Sequence, residues 1–400
     1  MQSSLVERQL PYGVADLFLE QAAAKSQVES RLRTAFSSWG YGEVIPPTFE
    51  YYEPLAFEAS PQVLEETYRF FDRDGRMLAL RADPTIPIAR IVGTKLDHLP
   101  LPLRLYYVGN VFRYEEPKAS LRREFTQAGI ELIGVDTPAA DAEVIALAAH
   151  ALFSAGLEGF RLRVGSMQLL AALLDAQVLD PSLIESIRVT LERKQELALT
   201  QALAEAPLPA AWRTALARLP LLIGDRTILD EAAQVCSVND RAQAALERLT
   251  AIADQLDAMG LADVVTWDLA MVRGMAYYTG IVFEGFAHGL GFSVVSGGRY
   301  DNLIAHFGRD LPALGFAIGV ERVLAGLAQA GRIEIDLAPQ VMTEMVVTRA
   351  LAARIASARA EGKQIESALA SCSRQELIAQ ARARGAREVW FADGESEVLE

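Results

Sequence analysis

Four arginines in this chain sit where strands or tight turns would place them. Arg113 lies inside the strand-like "FRYEE", and Arg273 opens "RGMAYYTG". Arg299 follows a glycine pair in "SGGRYDN", and Arg322 closes "GFAIGVER". Arginine on a strand is expensive to bury without a partner. Each one asks for an anionic ligand or for carboxylates, and Glu115, Glu131, Glu284 and Asp301 could supply ordinary ion pairs. Taken together, with glycines beside them that let the backbone approach a ligand closely, they favour a ligand site. In "VRGMAYYTG", Arg273 stands next to the paired Tyr277 and Tyr278, a combination suited to a small anionic or aromatic ligand. A second group has the opposite charge. Gln127 and Glu131 are four apart in a strand-like run, so both project to one face. With Asp83 they can bind an ammonium or an imidazole. A polar stripe on an exposed sheet face would give the same pattern.

Other chemistries find little support. His98, His150, His288 and His306 have no metal-ligand spacing. No GxSxG, P-loop or GxGxxG run is present. Cys236 and Cys372 are far apart, form no CxxC pair and have no histidine close in sequence. A zinc site, a disulfide framework and thiol catalysis are therefore not expected, and a reducing cytoplasm fits. No metal or cofactor is expected. The net charge of −14 argues against a nucleic-acid-binding surface, although a local basic patch remains compatible with it. The opening "MQSSLVERQLPYG" lacks an apolar h-region, so no signal peptide is expected. No stretch reaches the roughly eighteen apolar residues of a membrane span.

These residues need elements to position them. With 400 residues and 51% hydrophobic content, two or three domains are expected. A helix is predicted over 18–38, stopped by Gly40 and Gly42. "YGEVIPPTFEYYEPL" reads as an edge or interface strand, because Pro46 and Pro47 cannot donate to a ladder. "RMLALRADPTIPIARIV" gives a strand, a polar turn and a helix start. "LRLYYVGNVFRYEE" and "REFTQAGIELIG" form a long hairpin around the charged loop 115–123. A helix over 138–156 and the strand "FRLRVGS" follow. Residues 168–260 read as a helical insertion rich in Leu, Ala, Glu and Arg. Strand signals return in "VVTWDLAMV", "YYTGIVFEGF" and "GFSVVSGG", and "GFAIGVERVLAGLAQAG" runs from strand into helix. The last piece, 338–400, reads as a small β-α-β-α-β unit, thin for an independent domain.

These pieces, in this order, resemble a class II aminoacyl-tRNA synthetase core of the histidyl type. "YGEVIPPTFEYYEPL" is similar to motif 1, "VFRYEE" with "RREFTQAGIELIG" to motif 2, and "GFAIGVER" to motif 3. "VRGMAYYTG" and "SGGRYDNLI" resemble two segments peculiar to the histidine branch. The resemblance spans roughly residues 10–330, interrupted by the insertion. It implies an α+β fold: an antiparallel sheet flanked by helices, over 1–167 and 261–332, assembled as a dimer. It also implies roles. Arg113 and Arg322 match arginines that hold ATP phosphates, and Phe125 matches the aromatic that stacks on adenine. Arg273 matches the arginine acting at the α-phosphate. Asp83 and Thr85 fall in the loop that holds the histidine amino group. Gln127, Glu131, Tyr277 and Tyr278 match residues around the bound histidine.

The departures narrow the reading. The synthetase motif Arg-Gly-apolar-Asp-Tyr-Tyr has Ala276 here in place of the acid. The loop Arg-Pro-Glu-Gly-Thr is replaced by Arg81, Ala82, Asp83, Pro84 and Thr85, with a shorter carboxylate and a stiffer backbone. Tyr114 stands where the synthetases have histidine. Residues 338–400 carry eight Lys/Arg against nine Asp/Glu, which offers no cationic face for tRNA. This combination resembles the regulatory subunits of ATP phosphoribosyltransferase, a paralogous group. That resemblance implies a non-catalytic subunit that binds histidine as effector. It further implies homodimers joined to a short-form ATP phosphoribosyltransferase catalytic subunit in a cytoplasmic hetero-octamer, with vestigial phosphate-binding residues and no tRNA or membrane partner. A divergent synthetase or histidine-adenylating enzyme is the alternative.

Overall fold

Alternation along the strands builds one large sheet whose two faces have different work. The computed structural model describes residues 9–56, 61–114, 122–174, 180–193, 195–271, 278–346 and 348–399. These fall into two compact units, one comprising residues up to Leu17 with Ala24–Ile333, the other Phe18–Ala23 with 334–400. In chain order the first half contains α1 (Glu20–Ser38), β1 (Gly42–Glu43), β2 (Phe49–Tyr51), α2 (Tyr52–Ala56), α3 (Pro61–Glu66), β3 (Arg69–Phe71) and β4 (Met77–Leu80). Then come α4 (Thr85–Lys95), β5 (Leu103–Phe112), β6 (Glu124–Ile133), α5 (Pro138–Ser154) and β7 (Phe160–Ser166). A run of helices follows: α6 (Met167–Leu174), α7 (Pro181–Glu192), α8 (Glu196–Glu205), α9 (Ala210–Arg218), α10 (Thr227–Cys236) and α11 (Asp240–Ala258). A two-residue strand, β8 (Ile223–Gly224), interrupts them. The large sheet is completed by β9 (Val265–Asp268), β10 (Ile281–Ala287), β11 (Ser293–Arg299) and β12 (Ala313–Gly319), which leads into α12 (Val320–Gln329).

The sheet order is β1-β5-β6-β12-β11-β10-β7-β9-β8. Pairing is antiparallel except where β1 meets β5 and β7 meets β9. On β6 the even-numbered Ala128, Ile130 and Leu132 are buried in the main core, with Leu314, Phe316 and Ile318 of β12 beside them. Val28, Leu32 and Phe36 of α1 join that core, and burying each stabilises by about 1.5–3 kcal/mol. Helix α5 is apolar nearly all round, so it lies inside the core. Its start is fixed by Thr137, whose hydroxyl accepts from Ala140 N at 3.2 Å, and by Pro138 in the first turn.

The segment around Pro46 and Pro47 forms two short strands where one was expected. β1 pairs with β5 at the edge of the large sheet, whereas β2 belongs to a separate three-stranded sheet, β2-β4-β3. The prolines cannot donate to a ladder. Their carbonyls accept instead from Arg81 Nη1, at 2.7 Å for Pro46 and 3.3 Å for Pro47. Arg81 also donates to Asn110 O at 2.7 Å, and it fits because a side chain at Gly109 would run into its guanidinium. β8, too short for any periodic signal, pairs antiparallel with β9 inside the helical stretch.

The second unit contains β13 (Val341–Thr343), α13 (Arg349–Ala360), β14 (Ile365–Ser367), α14 (Arg374–Ala383), β15 (Glu388–Trp390) and β16 (Ser396–Val398). Its sheet runs β14-β13-β15-β16, the first three strands parallel, with β16 an antiparallel addition to the β-α-β-α-β alternation read from the sequence. Among the described residues no helix is long and apolar enough to cross a membrane.

Candidate functional site

The face of the large sheet away from α5 carries a cavity of about 420 Å³. Strand periodicity selects its wall. The odd-numbered Phe125, Gln127 and Glu131 of β6 point into it, as do Gly315, Ala317 and Gly319 of β12. Register places Glu131 opposite Gly315 and Gln127 opposite Gly319. Gly315 is required here, because a Cβ at that position would collide with the Glu131 carboxylate and the Ile130 carbonyl. Asp83 and Thr85, at the start of α4, close one end. Tyr107, Tyr278 and Tyr300 line the same region. Arg113, Arg322, Phe286 and Phe292 line the cavity as well.

The acidic end is the most perturbed. Glu131 is 2% exposed. One of its oxygens accepts from the Thr85 hydroxyl at 2.9 Å, and the other accepts from the Tyr300 hydroxyl. Burial pushes its carboxyl up to about 8, against the pull of those two hydroxyls, and nearby Asp83 adds to the rise. Asp83 is also raised by burial, opposed by Arg113 and by the backbone N–H groups of Ile86 and Thr85. Asp83 Oδ1 accepts from Thr85 N at 3.0 Å and Ile86 N at 3.4 Å, which ties the carboxylate to the first turn of α4. Tyr107 is held well above its ordinary value by burial, with Glu131 and Asp83 adding to the effect. The side-chain oxygen of Gln127 is buried and accepts no hydrogen bond from the described residues, so it is a polar group still to be satisfied.

Arg113 Nε donates to Ala82 O at 3.0 Å, and its guanidinium lies 5.5 Å from the centre of the Phe125 ring. Arg322 donates to Ser293 O at 2.8 Å and lies 5.6 Å from the Phe292 ring. The cavity therefore joins an acidic pocket, able to hold a cation, to aromatic rings and guanidinium groups suited to an aromatic or anionic group. Among the described residues no cluster of metal-ligating side chains occurs.

Of the residues singled out from sequence, Asp83, Thr85, Arg113, Phe125, Gln127, Glu131, Tyr278 and Arg322 line this one cavity. Arg273, Ala276 and Tyr277 lie outside the described residues. Arg299 is elsewhere. It is 2% exposed and turned to the opposite face, where Nη2 pairs with buried Asp141 of α5 at 2.7 Å. Asp141 also accepts from Arg248 Nε of α11 at 2.6 Å, and Asp301 accepts from Arg299 Nη1 at 3.0 Å. Ordinary ion pairing thus accounts for Arg299. Sequence reasoning passed over Tyr107, Tyr300, Phe286 and Phe292. Tyr300 had a usable signal, since period two puts it on the face opposite Arg299 in "SGGRYDN".

Comparison with known proteins agrees with this architecture. A family model described as Histidyl-tRNA synthetase matches residues 13–323. A curated protein of Moorella thermoacetica, named ATP phosphoribosyltransferase regulatory subunit, is 44% identical over 96% of this chain and 98% of its own. One of the same name from Symbiobacterium thermophilum is 39% identical over 97% and 98%. A crystal structure described as an ATP phosphoribosyltransferase regulatory subunit/histidyl-tRNA synthetase from Bacillus halodurans superposes with a TM-score of 0.83 at 29% identity, covering 96% of this chain and 98% of that one. Histidyl-tRNA synthetase from a Nostoc species shares the fold, with a TM-score of 0.79 at 21% identity over 98% and 96% of the two chains. With its class II core and near full-length relatives, the chain belongs to the ATP phosphoribosyltransferase regulatory subunit family, a branch of the histidyl-tRNA synthetase-like proteins.

Proposed function

We propose that this chain is a non-catalytic subunit that binds histidine in the sheet cavity and conveys that signal to a short-form ATP phosphoribosyltransferase catalytic subunit. The observation that carries the reading is the buried acidic pocket, with Glu131 held by Thr85 and Tyr300 and Asp83 beside it. Such a pocket selects a small cation. Asp83, Thr85, Gln127, Glu131 and Tyr278 hold the histidine, and Arg273 and Tyr277 are assigned to it from the motif alone. Arg113, Phe125 and Arg322 persist as a nucleotide-like wall. The assembly is a cytoplasmic hetero-octamer built on homodimers, with no tRNA partner. Feedback follows if histidine binds two states of the complex unequally, with a coupling typically of about 1–3 kcal/mol.

Co-purification with the short catalytic subunit tests the reading, followed by histidine titration of the complex. Glu131→Ala is expected to weaken inhibition and leave assembly intact. Unchanged inhibition would remove Glu131 from the site. A second reading, a histidine-adenylating enzyme, draws on the arginines and Phe125 that share the cavity. It predicts histidine-dependent ATP–pyrophosphate exchange above background, and we expect none.

A further inference from the structure

Asp83 and Glu131 put two carboxyl groups on one cavity, Glu131 buried and Asp83 half-buried, joined by a single residue. Thr85 donates its backbone N–H to Asp83 at 3.0 Å and its hydroxyl to Glu131 at 2.9 Å. The other Glu131 oxygen accepts from Tyr300, a second neutral donor. Hydroxyl groups satisfy a carboxylate's lone pairs without cancelling its charge, and an uncancelled buried charge is costly. Most of the facing groups add no positive charge. β5 presents Tyr107, and Tyr278 adds a further phenol. β12 presents glycine and alanine, and β10 presents Glu284, a third carboxyl on the cavity. Among the described residues the cations on this cavity are Arg113 and Arg322, and Arg113 acts on Asp83. α4 adds only the positive end of its backbone dipole.

We propose that this cavity exchanges a proton for its ligand: Asp83 and Glu131 share one proton when no ligand cation faces them, and it departs to solvent as a ligand's ammonium group enters. The inference rests on the histidine reading and adds that effector binding is antagonised by acid. Burial pushing Glu131 up to about 8 is in keeping with it. Affinity for a cation of fixed charge then rises about tenfold per pH unit from about pH 6 to 7.5 and levels off above about pH 8.

Calorimetric titration of the full chain in phosphate and in Tris near pH 7 counts the protons, because the buffers differ in ionisation heat. L-histidine and its triazole analogue, whose ring stays neutral over this range, are the probes. Release of about one proton per site is expected with either. In Glu131→Gln, with its fold checked by circular dichroism, release falls towards zero and binding weakens. Asp83→Asn serves as the second variant if that one does not fold. Binding with equal heats in both buffers overturns the exchange and leaves the histidine pocket standing. Absence of binding, both here and in equilibrium dialysis with labelled histidine, overturns the histidine reading and the exchange with it.

Discussion

Replacing Glu131 with glutamine should stabilise the ligand-free protein above neutral pH, although it removes a binding group. In the fold this carboxyl is pushed from 4.5 up to about 8, because burial penalises its charged form more than the Tyr300 and Thr85 hydroxyls relieve it. The unfolded chain returns it to the ordinary value. A group raised in this way contributes its full stability below about pH 4.5, and that contribution is lost as pH rises through about 8. A displacement of this size is worth about 5 kcal/mol when fully developed and about 3 kcal/mol near pH 7. Glutamine has the same shape without the charge. Its carbonyl can accept from one hydroxyl while its amide donates to the other. Urea denaturation of both proteins at about pH 5, 7 and 8.5, without histidine, measures the difference. The two midpoints should lie close at pH 5 and separate with rising pH, the variant being the more resistant. A gap that does not widen, or a variant less stable than the parent at pH 8.5, would show that burial does not penalise the Glu131 charge.

Three other changes have defined outcomes. Gly315→Ala sets a methyl group against the Glu131 carboxylate and the Ile130 carbonyl. It should cost about 1–3 kcal/mol in thermal unfolding and weaken histidine binding, and unchanged values of both would contradict the packing described. Asp141→Asn removes the buried carboxylate that Arg299 and Arg248 share while Asp136 and Asp301 still face them, and urea melts should register a loss of about 1.5–3 kcal/mol. Arg113→Met removes the cation that opposes the rise of Asp83. Histidine affinity by calorimetry should fall about three- to tenfold near pH 7 and recover in part as pH is raised.

The sequence was most legible where a side chain's direction follows from strand period. The spacing of Gln127 and Glu131 placed both on one face, and the buried Ala128, Ile130 and Leu132 occupy the other. The order of the motifs conveyed the class II sheet, which the structural relatives bear out. Arg299 was harder, since charge alone does not choose a face. Its neighbour Tyr300, not the arginine, belongs to the cavity, and Asp141, 158 positions away, supplies the counter-charge. The break between β1 and β2 was legible only in part. Pro46 and Pro47 forbid a continuous ladder, but nothing local announces that Arg81 will collect their carbonyls. β8 has two residues and no pattern to read.

The most direct test of the account is the rate of the phosphoribosyltransferase reaction by a purified short-form catalytic subunit, measured alone, with this chain, and with this chain plus histidine. Adding the chain should raise the rate and histidine should then lower it, with the response shifted to higher histidine concentration by Glu131→Gln. A pair no more active than the catalytic subunit alone, or a histidine response indifferent to Glu131, would contradict it.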